Sequence, residues 1–220
     1  MSDALVEARN VSRSYRVGGS EIVALVDASC SIEAGARVAL VGPSGSGKST
    51  LLQILGGIDA PTGGAVRWPA FGTIDRLRPH NVAFVFQNMS LLAPLTVLEN
   101  VELPLLLEGE SQSRARAGAL QMLESIELAG LAEKLPEELS GGQAQRVAFA
   151  RALVAKTPLV LADEPTGQLD GPTAERLLDV VMRSLEGTKT ALVIATHDRA
   201  VAARMEHRWS MEHGILRVSE

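Results

Sequence analysis

Four short apolar runs, rich in β-branched residues and bounded by glycine or polar residues, recur along the chain. They cover residues 37–41, 82–86, 159–162 and 191–195. Strands that are apolar on both faces are typical of parallel sheets, in which crossover segments cover the sheet. This pattern predicts an α/β fold with a mainly parallel core sheet.

Polar and apolar positions alternate more regularly toward both ends of the sequence, which favours antiparallel strands. Residues 4–32 alternate in this way around the turn-like triplet Gly18-Gly19-Ser20, and residues 209–218 resemble a hairpin that turns at Gly214. We therefore predict an antiparallel β subdomain flanking the core, and a hairpin in the last part of the sequence.

A helical periodicity stands between the second and third apolar runs. Apolar residues at i, i+3, i+4 and i+7 form one face of a helix there: Ala119, Met122, Leu123 and Ile126. Such a face in a polar segment predicts an amphipathic helix. We predict a single domain over residues 1–220, with its core in 1–91 and 140–220 and a helical insertion at about 92–139.

Composition narrows the class of protein further. The 220 residues carry a net charge of −5 without a basic stripe, which argues against a nucleic-acid ligand. The single Cys30 excludes an internal disulfide, and prolines and acidic residues interrupt the best membrane-span candidate, residues 91–107. Asp3 and Glu7 stand where a secretory signal would be basic and then apolar. We expect a cytoplasmic protein, without direct membrane insertion, that reaches a membrane only through a protein partner.

The segment from Gly42 to Thr50 fits the phosphate-loop pattern G-x-x-x-x-G-K-[ST] and lies between a predicted strand and a predicted helix. Its glycines let backbone N–H groups point at phosphate oxygens, and the helix N-terminus adds about half a positive charge. Lys48 can reach the β- and γ-phosphates, and the Ser49 hydroxyl can bind Mg²⁺. An ordinary glycine-rich turn is the alternative. The loop alone leaves kinases, GTPases, helicases and transporters open.

Two carboxylates, Asp163 and Glu164, directly follow the apolar run at 159–162. Open α/β sheets bind ligands at this end of their strands. We predict Asp163 as a Mg²⁺ partner and Glu164 as the general base that accepts a proton from the attacking water. A solvated loop or a helix cap is the alternative for such a pair in isolation.

The sequence LSGGQ at 139–143 precedes a predicted helix that runs to about Lys156, with Ser140 as its N-cap. Capping alone would explain the serine. However, this is a second helix start suited to an anion, and one triphosphate does not need two such cradles in one chain.

The sequence resembles the ABC ATPases, a branch of the P-loop NTPases. LSGGQ continues into Ala144-Gln145-Arg146, as in the ABC signature, and the resemblance covers essentially the whole chain. The other motifs follow in the family's order: the phosphate loop at 42–50, Gln87 after VAFVF, LVLADEP at 159–165, Asp170 in TGQLD and His197 in IATHD.

The resemblance implies ATP and Mg²⁺ as cofactors, and a dimer in which LSGGQ of one subunit closes over ATP held by the other. It implies that Gln87 senses Mg²⁺ and the γ-phosphate, that His197 contacts the γ-phosphate or the water, and that Asp170 communicates across the dimer. It also implies that Tyr15 stacks on adenine. The nucleotide-binding residues expected on this basis are Tyr15, Gly42, Pro43, Ser44, Gly45, Ser46, Gly47, Lys48, Ser49, Thr50, Gln87, Ser140, Gly141, Gly142, Gln143, Asp170 and His197. The expected catalytic residues are Lys48, Gln87, Glu164 and His197, and the expected metal-binding residues are Ser49, Gln87 and Asp163.

Within the family, the sequence is similar to the branch of lipoprotein-release, macrolide-export and cell-division ATPases, which pair with a separate membrane permease. Two departures stand out: the stretch from Gly56 to Gln87 is short, and Gln168 stands where Asn is commoner. In the family, the region of Leu91, Leu92, Leu95 and Val97 borders the groove for the permease, although interior packing is an equal alternative for each.

Several functions stay open at this point. The main hypothesis is a Mg²⁺-dependent ATPase that drives a permease from the cytoplasmic face of the membrane. A mechanotransmission ATPase, which activates an extracytoplasmic hydrolase, shares every motif. A nucleotide-gated scaffold without turnover is disfavoured by Glu164 and His197, and a DNA-repair ATPase by the short segment between the phosphate loop and LSGGQ. A homodimer suffices for the composite site, and a heterodimer is also possible.

Overall fold

The computed structural model describes residues 4–87 and 90–219. Asp3, which bears on the secretory signal, and two residues after Gln87, Asn88 and Met89, lie outside that description. The described strands are β1 (Ala4–Val17), β2 (Ser20–Glu33), β3 (Arg37–Val41), β4 (Gly63–Arg67), β5 (Val82–Val85), β6 (Leu159–Asp163), β7 (Ala191–Thr196), β8 (His207–Glu212) and β9 (Ile215–Ser219). The described α-helices are α1 (Lys48–Leu55), α2 (Val97–Leu107), α3 (Gln112–Ser125), α4 (Gly141–Val154), α5 (Gly171–Leu185) and α6 (Arg199–Ala202).

The core sheet has six strands in the order β5-β6-β7-β3-β8-β9. Every neighbouring pair is parallel except β8 and β9. The predicted parallel sheet is confirmed at all four apolar runs. The first run matches β3 at both ends, and the other three shift by one residue at their C-terminal ends: β5 stops at Val85 rather than Phe86, whereas β6 and β7 each extend one residue further.

A separate antiparallel sheet has the order β2-β1-β4. It confirms the predicted antiparallel subdomain, but β4 did not stand out in the sequence. The predicted hairpin turns at His213-Gly214, and its first strand belongs to the parallel core beside β3. Alternation in β8 fits this position, since Trp209 and Met211 are buried while their neighbours are exposed.

Helices α2 and α3 and two short 3₁₀ turns form the predicted helical segment. Thr96 begins α2 with a reciprocal capping box, in which its side chain accepts from the N–H of Glu99. Three of the four residues on the predicted face are buried, Ala119, Leu123 and Ile126, and Met122 packs at the edge of their cluster. Val97 is fully buried in the same cluster, so packing explains it better than a permease groove does.

Both faces of the core sheet are covered. On one face Leu40 and Leu161 pack with α1 and the antiparallel sheet, and on the other Val160 and Ile194 pack with α4 and α5. Complete burial of one such side chain contributes about 1.5–3 kcal/mol to stability, so packing on both faces fixes the sheet and the loops that follow its strands. Among the described residues, no helix has the length and apolar character needed to cross a membrane.

Candidate nucleotide-binding site

The phosphate loop follows β3 and ends in α1, as predicted. Gly47 occupies the N-cap with φ 105°, a left-handed conformation that strains any residue with a Cβ. A Cβ at Gly47 would collide with the carbonyl oxygen of Ala24, and one at Gly42 would collide with that of Met211. The backbones of β2 and β8 thus wall the loop closely on two sides, and glycine is required at both positions.

Lys48 is almost completely buried, with 5% of its surface exposed. Its Nζ donates to the carbonyl oxygens of Gly42 and Pro43, at 2.9 and 3.0 Å. The same Nζ lies 3.6 Å from Oε1 of Glu164. The lysine is therefore folded back across its own loop, with the glutamate on its other side.

Asp163 ends β6, and Glu164 follows in a left-handed conformation with φ 46°. The N–H of Glu164 donates to the carbonyl of Ala195 in β7, at 2.9 Å. Oε2 of Glu164 lies 2.9 Å from Nδ1 of His197, which directly follows β7. Because Val41 pairs with Thr196 and Asp163 with Ala195, the loop, the acidic pair and the histidine share one edge of the sheet.

The surroundings of Asp163 fit a hard metal ion. Burial is the main cause that raises the pKa of its carboxyl, while a hydrogen bond from Ser49 and the charge of Lys48 oppose that shift. Its Oδ1 is buried and has no hydrogen-bond partner in the described chain. Mg²⁺ prefers oxygen ligands and keeps several from water or phosphate. The described residues contain no cluster of three or more His, Cys, Asp or Glu suited to a metal. The predicted metal-binding residues, Ser49, Gln87 and Asp163, would hold the ion together with oxygens of water or phosphate.

Gln87 lies just past β5, and its surface is exposed. Strand β5 is the neighbour of β6, with Val85 opposite Ala162, so Gln87 lies at the same edge as the acidic pair. The side chain of His197 is 66% exposed, which leaves it open to solvent from that edge. These positions agree with the predicted sensing and contacting roles, which remain predictions.

The predicted N-cap at Ser140 is confirmed, and α4 ends at Val154 rather than Lys156. Oγ of Ser140 accepts from the N–H of Gln143 at 3.2 Å, and Oε1 of Gln143 accepts from the N–H of Ser140 at 2.9 Å. Gly141 and Gly142 lie against the loop that follows β6. A Cβ on Gly141 would meet Oε1 of Gln168 at 2.6 Å, so this glycine permits a close approach.

Asp170 caps α5, accepting from the N–H of Thr173 through Oδ1 at 2.8 Å. That hydrogen bond is the main cause that lowers the pKa of its carboxyl. Its predicted role across a dimer stays a prediction, since capping already explains an acid at this place.

Tyr15 lies in β1 opposite Ile22 of β2. Ala24, two residues further along β2, touches the phosphate loop at Gly47, which places Tyr15 about 7 Å along the strand from that contact. The phenol hydroxyl donates to Oδ2 of Asp59 at 2.7 Å. Tyr15 is therefore close enough to the phosphate loop for one nucleotide to reach both.

The chain is similar to known proteins over its whole length. The family described as ABC transporter matches residues 25–167. The lipoprotein-releasing system ATP-binding protein LolD of Legionella pneumophila (strain Paris) is 42% identical over 227 residues, 100% of both chains. LolD of Bordetella pertussis is 44% identical over 218 residues, 96% of this chain and 94% of its own. A solved dimeric structure of the ATP-binding cassette MJ0796, in a post-hydrolysis state bound to ADP and Pi, has a TM-score of 0.91, 39% identity and 98% coverage of each chain.

The chain belongs to the ABC transporter family.

In this ABC ATPase, three sets of contacts involve residues predicted from the sequence. Glu164 contacts both Lys48 and His197 at the edge of the sheet. Gly141 and Gly142 lie against the loop after β6, and Tyr15 contacts Asp59.

The sequence did not predict three contacts that the fold makes near the site. Gln168, noted only as a departure from the family, touches the signature glycine. Arg151 of α4 donates to the carbonyl and the hydroxyl of Ser90, at 2.9 and 2.8 Å, which ties the signature helix to the segment beyond Gln87. Asp59 holds Tyr15. No local pattern marks any of these residues.

Proposed function

We propose that this chain hydrolyses ATP in a Mg²⁺-dependent reaction as the nucleotide-binding subunit of an ABC transporter. It works as a head-to-tail homodimer at the cytoplasmic face of the membrane and drives a separate permease. The observation that carries the proposal is the pair of contacts that Glu164 makes with Lys48 and His197 at the sheet edge, beside the buried Oδ1 of Asp163, which has no hydrogen-bond partner among the described residues.

Binding and chemistry divide among these residues. The N–H groups of the loop from Gly42 to Gly47 hold the phosphates, and Lys48 exchanges its two carbonyl partners for phosphate oxygens. Asp163 and Ser49, with Gln87, would hold Mg²⁺, and the ion would neutralise charge on the phosphates. Once Lys48 turns to the phosphates, Oε1 of Glu164 is free to accept a proton from the attacking water.

His197 positions the general base. With the proton on Nδ1, its ring donates to Oε2 of Glu164 across 2.9 Å, which fixes the direction of the carboxylate. The other carboxylate oxygen is left for the water. The left-handed backbone at Glu164, held by the carbonyl of Ala195, turns this side chain back over the loop and away from solvent.

The signature helix supplies the second half of a composite site. Ser140 is exposed, and its Oγ only accepts in the capping box, so its own hydrogen can still be donated to a phosphate. The N-terminus of α4 adds partial positive charge. The MJ0796 cassette is dimeric in its solved structures, which supports pairing of two copies.

The similar proteins suggest what is moved. Two LolD proteins, identical to this chain at 42% and 44% of positions, are named for a lipoprotein-releasing system. We therefore propose lipoprotein release as the process, with cargo recognition in the permease. Leu92, 44% exposed beside α2, fits a docking surface for that partner.

The test measures Mg²⁺-dependent ATPase activity of the wild type, Glu164→Gln and Glu124→Gln, with light scattering after size exclusion in ATP. Removal of the general base should lower turnover on the order of 100-fold or more and accumulate an ATP-bound dimer. Glu124 is exposed on α3 and controls for the same carboxyl-to-amide change. An equal loss in both variants, or full activity in Glu164→Gln, would refute the assigned mechanism. A wild type that binds ATP without turnover, alone and with its reconstituted permease, would favour the gated scaffold.

A further inference from the structure

Three side chains from two parts of the sequence form a cluster beside the phosphate loop. Arg13 and Tyr15 belong to β1, and Asp59 lies after α1, 44 positions beyond Tyr15. The side chains of Arg13 and Asp59 are only 22% and 20% exposed. We define this set as the Arg13–Tyr15–Asp59 clamp.

The carboxylate of Asp59 is the centre of the clamp. Its Oδ2 accepts from Nε of Arg13 at 3.0 Å and from the hydroxyl of Tyr15 at 2.7 Å. Its Oδ1 accepts from Nη2 of Arg13 at 2.7 Å and from the N–H of Ala60 at 2.8 Å. Such a bidentate arginine pair fixes orientation as well as distance, so neither side chain can turn freely.

The clamp also fixes the tyrosine ring. The guanidinium carbon of Arg13 lies over the ring, 4.5 Å from its centroid, and covers one face. Rotation of the ring would break this cation–π contact, and reorientation of the side chain would also break the hydroxyl bond to Asp59. The hydroxyl and one face of the ring are thus engaged, so the half-buried Tyr15 would offer a base only the opposite face.

We infer that Arg13 and Asp59 are positioning residues, which hold Tyr15 as a fixed stacking platform for the nucleotide base. This inference rests on the proposed function as an ATPase and on the predicted stacking of the base on Tyr15. A fixed platform binds tightly because no rotamer freedom is lost on stacking. With its hydroxyl engaged, Tyr15 recognises the face of a base rather than its edge, and ATP and GTP should bind it similarly.

The test is a double-mutant cycle in the full-length chain. Dissociation constants for ATP are measured by calorimetry in EDTA, without turnover, for the wild type, Arg13→Met, Tyr15→Ala and the double variant. Arg13→Met should weaken ATP binding about fivefold when Tyr15 is present, and it should have no further effect in a protein that already carries Tyr15→Ala. Inorganic tripolyphosphate, which has no base, should bind all four proteins equally.

Two further variants keep the test decisive. Asp59→Asn, of nearly equal volume, replaces Arg13→Met if the Arg13→Met protein does not fold. Arg13→Lys keeps the positive charge but cannot form the bidentate pair with Asp59, so it should recover only part of the ATP affinity. An equal loss for ATP and tripolyphosphate, or the same loss in the Tyr15→Ala background, overturns the inference. If Tyr15→Ala itself leaves ATP binding unchanged, the base does not stack there and the inference falls. The proposed ATPase would still be supported by the Glu164→Gln experiment.

Discussion

The N-termini of α1 and α4 are both suited to a phosphate, yet they are built in opposite ways. Helix α1 has Gly47 as its N-cap, which makes no side-chain hydrogen bond, so the first N–H groups of the helix have only the loop and a ligand to bind. Helix α4 begins with a complete capping box between Ser140 and Gln143. The N-terminus of α1 is therefore open to a phosphate bound by its own chain. The N-terminus of α4 is stable without a phosphate, which suits a surface that would contact phosphate only in a dimer.

The largest expected effect is on ATP binding at the uncapped N-terminus of α1. Gly47→Ala adds a Cβ at φ 105° against the carbonyl of Ala24, and should weaken ATP binding on the order of 100-fold. Gly171→Ala, at the first position of α5 with open space around it, should change stability by less than about 0.5 kcal/mol. Calorimetric titration with ATP, checked by circular dichroism, measures both. Unweakened ATP binding by Gly47→Ala would contradict the assignment of the α1 N-terminus as the phosphate site.

A smaller effect is expected at the capped start. Ser140→Ala should cost about 1 kcal/mol of unfolding free energy, because the cap is lost. ATP binding by the monomer should not change, while ATPase activity should fall roughly tenfold through the missing phosphate contact. Ser111 is the N-cap of α3 but makes no side-chain cap bond, so Ser111→Ala is the matched control. Comparable activity in the two variants would show that α4 does not complete a site.

The smallest expected effect is on the pH dependence of stability, and it concerns a third helix N-terminus, that of α5. The N–H of Thr173 lowers the pKa of the Asp170 carboxyl, so the ionised cap stabilises the fold above its unfolded pKa of about 3.9. This stability is lost as pH falls through the lower folded pKa. Asp170→Asn keeps a cap without a titrating group, and its melting temperature should decrease less than that of the wild type on acidification from pH about 5 to about 3. Identical acid profiles would exclude this role.

These differences also explain what the sequence could predict. The phosphate loop is local: eight consecutive residues, Gly42 to Ser49, carry its pattern, and the strand before it follows from an apolar run. The clamp, by contrast, joins Tyr15 to an aspartate in a turn that has no periodicity, and Gln168 meets Gly141 only after the chain has crossed the sheet. Strand β4, with two glycines in five residues, lacks any alternation. Contacts made by tertiary packing leave no mark in a local pattern.

The two walls of the phosphate loop are carbonyl oxygens, those of Ala24 and Met211. Every amino acid carries the same carbonyl, so at the half-buried Ala24 the side chain can change without altering this wall of the cradle. Met211 differs, because its side chain is buried in the core and its sulfur would lie 3.2 Å from a Cβ at Gly47. The wall formed by β2 therefore tolerates substitutions that neither the loop nor the wall formed by β8 can accept.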